Sequence, residues 1–181
     1  MTTFTAEAAS SVAGSDWTLD AGSDLVTAVN YGGSHDDDTS KVQSLNVIGS
    51  YQEYNATMTG GPSTGDTITQ VAVVARVKRG LATDANYNVG YSFTINGGGT
   101  QSGTSADQTS TSTWATYTYT HSGLSVVYGS AFKFRITAAQ NRYLECSTLY
   151  AVITYTPAAT GAMPKTAVAR LGSKVGGLLT R

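Results

Sequence analysis

Apolar and small polar residues alternate along most of this sequence, and the alternation is its main structural signal. In Tyr87–Ile95, which reads Tyr-Asn-Val-Gly-Tyr-Ser-Phe-Thr-Ile, every second residue is apolar or aromatic and those between are small and polar. Successive side chains of a strand point to opposite faces of a sheet, so this pattern predicts a strand with one buried face. About eight strands are predicted in this way, at Leu25–Asn30, Val42–Ile48, Tyr51–Met58, Thr67–Lys78, Tyr87–Ile95, Trp114–Thr120, Phe132–Thr137 and Thr148–Thr156.

The spacing of these strands and the length of the chain define the predicted fold class. A chain of 181 residues suffices for one domain with a proper core. Unevenly spaced strands with glycine-rich turns predict an all-β fold: a two-sheet antiparallel β-sandwich, jelly-roll-like, with an extended C-terminal arm. The predicted organisation is an N-terminal arm at 1–14, the sandwich at 15–157 and a basic, Gly- and Ala-rich arm at 158–181. Gly97–Ser112, which is long and of low complexity, is predicted to be a surface loop.

Composition and charge narrow the classes of partner. Only 13% of the residues are charged and the formal net charge is −1, which argues against nucleic-acid binding by bulk electrostatics. Residues 1–157 hold seven Lys and Arg and all twelve Asp and Glu, whereas residues 158–181 hold four Lys and Arg and no acid. No apolar run approaches the length of a membrane span. The single cysteine, Cys146, forms no intrachain disulfide and is interpreted as a buried small hydrophobe.

The C-terminal arm is where the sequence predicts contact with another molecule. Its apolar residues recur every three or four positions among lysines and arginines, as in a short amphipathic helix, although Gly172, Gly176 and Gly177 weaken that helix by roughly 1 kcal/mol each. Because such a segment is not expected to be ordered by itself in water, we expect it to lie on a neighbouring subunit. The predicted subunit-interface residues are Lys165, Val168, Arg170, Leu171, Lys174, Val175, Leu178, Leu179 and Arg181.

Candidate chemistry is sparse. The densest polar cluster is His35–Asp38, which could bind a divalent cation but lacks the spacing and closing glutamate of an EF-hand, so it is interpreted as a solvated loop. His121 precedes a Ser-Gly pair and is interpreted as a hairpin end. Glu53 and Glu145 are candidates for the carboxylate pair of a glycoside hydrolase, but they are interpreted as strand-edge residues. The sequence therefore predicts no catalytic, metal or cofactor site and no enzyme.

Aromatic residues raise one alternative function. Trp17, Trp114 and the eleven tyrosines could include exposed rings that stack on sugars, as in a carbohydrate-binding module. Aromatic residues at alternate strand positions belong more often to a core or a subunit interface, so a structural role is preferred and glycan binding is the alternative.

The order of these features resembles that of the small β-sandwich structural proteins of tailed bacteriophages, which include head decoration, collar and tail-associated subunits. The resemblance is carried by Ser15–Trp17, Ile68–Arg76, the Ser/Thr/Gly loop leading into Thr113–Tyr117, and Tyr150–Tyr155. It spans most of residues 15–156 and contains no diagnostic motif.

This resemblance implies a virion structural subunit, such as a capsid decoration protein, that assembles in many copies through its sandwich faces and terminal arms. Its partners would be copies of itself and other virion proteins, with no nucleic acid and no membrane, and it would reside in a virion assembled in the host cytoplasm. A receptor-recognition module that binds carbohydrate is the alternative, and a hydrolase using Glu53 and Glu145 is a third hypothesis.

Overall fold

In the computed structural model, strands account for nearly all the regular structure of the described residues, which are 1–12, 16–22, 24–29, 39–80, 88–104, 113–141 and 143–159. One 3₁₀ helix spans Thr27–Val29. The ten strands are β1 (Thr2–Ser11), β2 (Thr18–Ala21), β3 (Lys41–Gln43), β4 (Tyr51–Ala56), β5 (Thr67–Arg79), β6 (Val89–Ile95), β7 (Gln101–Thr104), β8 (Ala115–Val127), β9 (Phe132–Ala138) and β10 (Leu144–Thr156). Within the described ranges, no helix has the length and hydropathy of a membrane span.

The strands form two antiparallel sheets. In sheet A, β10 is central: β5 pairs along one of its edges and β8 pairs with β5, while β1 and β3 share its other edge and β2 pairs with β3. Sheet B has the order β1, β4, β9, β6, β7. The all-β, sandwich-like, jelly-roll-like fold class predicted from the sequence is confirmed.

β1 belongs to both sheets. Residues 2–7 pair with β10 in sheet A, and after an irregularity in register residues 8–11 pair with β4 in sheet B. The prediction of an N-terminal arm at 1–14 therefore differs from the structure over the length of this strand. Phe4 is half-buried and Ala6 and Ala8 are buried, while Thr3 and Thr5, on the other face of the strand, are exposed. The alternation is present, but it was missed because alanine is a weak hydrophobic signal.

The core lies between the inner faces of the two sheets. Aromatic rings meet across the gap, since Tyr91 of β6 stacks on Tyr119 of β8 with ring centroids 6.2 Å apart. Beside that pair, Phe93 of β6 meets the His121 ring edge-on at 5.9 Å. The alternation predicted for β6 is confirmed over its described length, because Val89, Tyr91, Phe93 and Ile95 are all buried.

Three predicted segments differ from the structure. Leu25–Asn30 was predicted to be a strand, but it contains the 3₁₀ helix, because the Asp24 carboxylate accepts hydrogen bonds from the backbone N–H groups of Val26 and Thr27, both at 2.9 Å. Gly97–Ser112 was predicted to be a loop throughout, but its residues 101–104 form β7, a hairpin partner of β6. The Val42–Ile48 prediction is only partly met, since β3 ends at Gln43.

The Ser-Gly pair after His121 does not end its strand. β8 continues to Val127, and its register against β5 shifts between Ile68 and Gln70, which pair with Val126 and Ser122 respectively. Gly123 lies within this shift at φ +75°, a conformation that glycine adopts without steric cost. The glycine therefore marks a β-bulge in a continuous strand, and the hairpin end predicted at His121 is wrong.

Candidate functional site

The outer face of sheet B concentrates polar side chains in a regular array. Alternation along β4, β9 and β6 places one set of side chains in the core and the other on the outside, and the strand register aligns the outside set in three rows. Three strands and five residues of each strand cover about 10 Å by 13 Å. We call this array the polar face; its rows are Tyr51, Thr137, Gly90; Glu53, Arg135, Ser92; and Asn55, Lys133, Thr94.

An aromatic ring, a guanidinium and a carboxylate are held together on the polar face. Arg135 donates from Nε and Nη2 to Oε1 of Glu53, at 3.2 and 2.9 Å. The same guanidinium lies over the ring of Tyr51, 4.0 Å from its centroid. The two side chains of the ion pair are only 32% and 12% exposed. Since each group restrains the others, their donors and acceptors are fixed before any ligand arrives.

The rest of the polar face combines small residues with one further cation. Gly90, Ser92 and Thr94 present no bulky side chain along β6, beside the longer side chains of Lys133 and Arg135 on β9. A Cβ added at Gly90 would lie 3.2 Å from that of Thr137, so the backbone is closely approached there. In the third row, the amide Nδ2 of Asn55 donates to Oγ of Ser10 at 2.9 Å. Lys133 is the middle residue of that row.

A second charged cluster lies on sheet A. Oε2 of Glu145 is 2.9 Å from Nζ of Lys41 and 3.3 Å from Nζ of Lys78, and Lys41 also contacts Asp20 at 3.1 Å. Nζ of Lys78 lies over the Trp114 ring, 4.8 Å from its centroid. This carboxylate is 6% exposed and compensated by two cations, which indicates a structural role.

The two glutamates considered for hydrolysis are not brought together. Glu53 lies on β4 of sheet B and Glu145 on β10 of sheet A, and each is engaged by cations of its own sheet. Both strands also have partners on two sides, so the strand-edge interpretation is wrong for both residues. A hydrolytic pair needs two carboxyl groups facing one bond, and these two residues do not supply it.

The two tryptophans considered for sugar stacking are not exposed platforms. Trp17 is 3% exposed and belongs to the core, and Trp114 is half-buried with Lys78 over its ring. Tyr51 was not singled out among the eleven tyrosines. The pattern that could have identified it is its position on the outward side of β4, where it alternates with the buried residues Gln52 and Tyr54.

The remaining sequence predictions concern Cys146, the His35–Asp38 cluster and the C-terminal arm. Cys146 is buried as predicted, and burial raises the pKa of its thiol to about 12. His35–Asp38 and the subunit-interface residues of the C-terminal arm lie outside the described residues. Among the residues that are described, no three His, Cys, Asp or Glu side chains are grouped to hold a metal ion. A shallow cavity of about 160 Å³ at the open edge of the sandwich is lined by Ile95, Gly98, Gly99, Gln101 and Val126.

Comparisons with known proteins give matches among solved structures. No protein-family model and no curated protein matches the chain. A family 35 carbohydrate-binding module from Clostridium thermocellum is 18% identical, with a TM-score of 0.48 over 84% of this chain and 98% of that one. The CBM22-1 xylan-binding domain of Paenibacillus barcinonensis Xyn10C is 14% identical, with a TM-score of 0.45 over 83% of this chain and 86% of that domain. An exo-β-1,3-galactanase from Phanerochaete chrysosporium is 14% identical, with a TM-score of 0.44. The match covers 85% of this chain and 30% of the galactanase chain.

These matches correct the function expected from the sequence. The three structures named above are two carbohydrate-binding modules and a galactanase, with no phage structural protein among them. The prediction of a virion structural subunit is therefore wrong. It failed because alternating Thr- and Tyr-rich strands are common to many β-sandwiches and carry no information on the assembly or ligand of any one of them. At these identities and TM-scores the likeness does not identify a ligand, which has to be argued from the site.

Proposed function

We propose that this chain is a non-catalytic carbohydrate-binding module and that it binds a glycan on the polar face of sheet B. The observation that carries the proposal is the fixed group of Tyr51, Glu53 and Arg135 on a face whose other residues are either small or polar. Sugar hydroxyls both donate and accept, so they are matched by a carboxylate that accepts and a guanidinium that only donates. The guanidinium already covers one face of the Tyr51 ring, so the ring would contact the C–H groups of a pyranose with its edge or its other face.

The composition of the polar face favours a polyhydroxylated ligand over a protein partner. Its nine outward positions include no aliphatic side chain larger than the methyl group of threonine, and Tyr51 is the one aromatic residue among them. The centre of a stable protein interface is typically apolar and poor in charge. The outer face of sheet A is different, since its row Thr5, Val152, Ala72, Thr120 includes two aliphatic residues.

Preorganisation supports binding at low entropic cost. The guanidinium of Arg135 is held by two hydrogen bonds and by the Tyr51 ring, so little side-chain freedom remains to be lost when a ligand binds. Jelly-roll sandwiches also serve as lectin domains, which makes the fold compatible with this use. The proposal is one of binding without turnover, because Glu53, the carboxylate on this face, already neutralises a cation.

A glycan array followed by isothermal titration calorimetry tests the proposal. We expect the wild-type chain to bind at least one oligosaccharide and Tyr51→Ala to weaken that binding about tenfold. Tyr150→Ala is the matched control, because Tyr150 is also a half-buried tyrosine but pairs with Glu7 and Val74 in sheet A. Equal losses from the two variants, or no glycan bound by the folded wild-type chain, would refute the assignment.

A further inference from the structure

Charge is unevenly distributed on the polar face, and the imbalance is centred on one lysine. Of the nine residues, Glu53, Arg135 and Lys133 carry charge at neutral pH. Glu53 and Arg135 neutralise each other at 2.9 Å. Lys133 has no ion pair with any described residue, so the third row carries an uncompensated positive charge.

The surroundings of Lys133 contain further hydrogen-bond donors, and the one acid on the two strands that flank it, Glu53 of β4, lies one row away and is neutralised by Arg135. The register places Asn55 of β4 on one side of Lys133 and Thr94 of β6 on the other. The amide of Asn55 is oriented by Ser10, which leaves its second N–H for another acceptor. Asp16, which is exposed, joins sheet B at the far end of β4, where its backbone N–H bonds to Tyr51. That end is four residues from Asn55, about 13 Å along the strand.

We propose that the polar face selects acidic glycans and that Lys133 is the specificity-determining residue, binding the carboxylate of a uronate unit. This inference rests on the proposed function and names its class of ligand. Lys133 supplies the ammonium, while the Thr94 hydroxyl and the Asn55 amide are neighbouring donors to the same anion. Arg135 lies one row from Lys133 and Tyr51 lies two rows from it, so these two residues would contact the neighbouring sugar units of the glycan. The glycan would therefore lie along the strands with its acidic unit over the third row.

The test compares one backbone in two charge states. An oligogalacturonate and its fully methyl-esterified form present the same sugars, with and without carboxylate charge. We expect the wild-type chain to bind the free acid about tenfold more tightly, the size of one charge-assisted hydrogen bond at a half-exposed site. Lys133→Met is expected to remove this preference while still binding the ester, and Lys133→Arg to keep it.

A matched charge control separates local recognition from bulk attraction. Arg76→Met removes the same unit of charge from sheet A, where Arg76 pairs with Thr116 of β8, and it should leave the preference unchanged. Circular dichroism would establish that each variant is folded. A preference that survives in Lys133→Met, a wild-type chain that favours the ester, or an equal loss in Arg76→Met would overturn the inference while leaving glycan binding intact. Failure to bind either form or any other glycan would overturn the proposed function as well.

Discussion

Replacing Glu145 with glutamine is expected to lower the free energy of unfolding by about 3 kcal/mol, although Glu145 lies far from the polar face. The carboxylate contacts two ammonium groups, Lys41 at 2.9 Å and Lys78 at 3.3 Å. Exposure of the three side chains is 6%, 14% and 16%, so water screens these contacts only in part.

The magnitude follows from these distances and exposures. At an effective dielectric constant of about 20, each contact has a gross attraction of about 5 kcal/mol, most of which offsets the cost of removing the charges from water. Glutamine keeps the shape but removes the charge, which leaves two half-buried ammonium groups close together, with Asp20 beside Lys41. Breaking a buried pair in this way costs about 3–5 kcal/mol, and the lower end applies because the lysines are partly hydrated.

Urea denaturation followed by tryptophan fluorescence measures the effect. With a slope of about 2 kcal/mol per molar urea, a loss of 3 kcal/mol lowers the midpoint by about 1.5 M. The double variant Glu145→Gln/Lys78→Met should recover part of the loss because it removes one of the stranded charges. Glu53→Gln is the matched control, and its loss should be only about 1 kcal/mol because its partner Arg135 is 32% exposed. A loss below about 1 kcal/mol in Glu145→Gln would show that the cluster is solvated and refute the reasoning.

Three further predictions concern pH, thiol reactivity and backbone packing. Burial lowers the pKa of Lys41, but hydrogen bonds and charge attraction from the carboxylates of Glu145 and Asp20 more than offset this effect and raise the pKa above 10.5. The free energy of unfolding should therefore fall as the pH rises above 10.5, and the fall should be smaller in Lys41→Met. Cys146, with its pKa raised to about 12, should resist a thiol-specific reagent at pH 8 until urea unfolds the chain, so prompt labelling of the native protein would contradict its burial. Gly61→Ala should cost about 1–3 kcal/mol in thermal denaturation, because the new Cβ would lie 2.6 Å from the ring of Phe4. Gly99→Ala, where no atom lies within 4 Å, should be near neutral, and equal losses would show that the Phe4 ring yields freely.

The strands that could be predicted are those whose inward residues are large. β6 and β9 alternate bulky aliphatic or aromatic residues with smaller or polar ones, and β5 and β10 carry bulky apolar residues on both faces, so all four have a strong hydrophobic signal without knowledge of the fold. β1 carries alanines at its buried positions and β7 reads Gln-Ser-Gly-Thr, so neither has such a pattern. These two strands exist because a partner strand offers an edge for hydrogen bonding, which is a tertiary effect.

The candidate site was harder to predict because its residues come from different strands. Tyr51 and Glu53 lie on β4 and Arg135 on β9, more than 80 residues later, and only the register Glu53 to Arg135 brings them together. The sequence contained half of this information, since alternation placed Lys133 and Arg135 on one face of their strand. The pairing of β9 with β4 cannot be predicted from either strand alone. The residues that the sequence suggested for function were therefore tryptophans and residues adjacent along the chain.

The division of β1 between the two sheets has a consequence for how the chain folds. Thr2 to Glu7 pair with Tyr155 to Tyr150, so the first strand can complete its ladder only with the last one, some 150 residues downstream. Closing so large a loop is slow, and such high contact order predicts folding in milliseconds to seconds. During synthesis the first strand leaves the ribosome long before β10, and until β10 is made β1 has no partner in sheet A through which to join the two sheets. A chain truncated before Leu144 should therefore fail to fold and should aggregate, even though it would retain most of its strands.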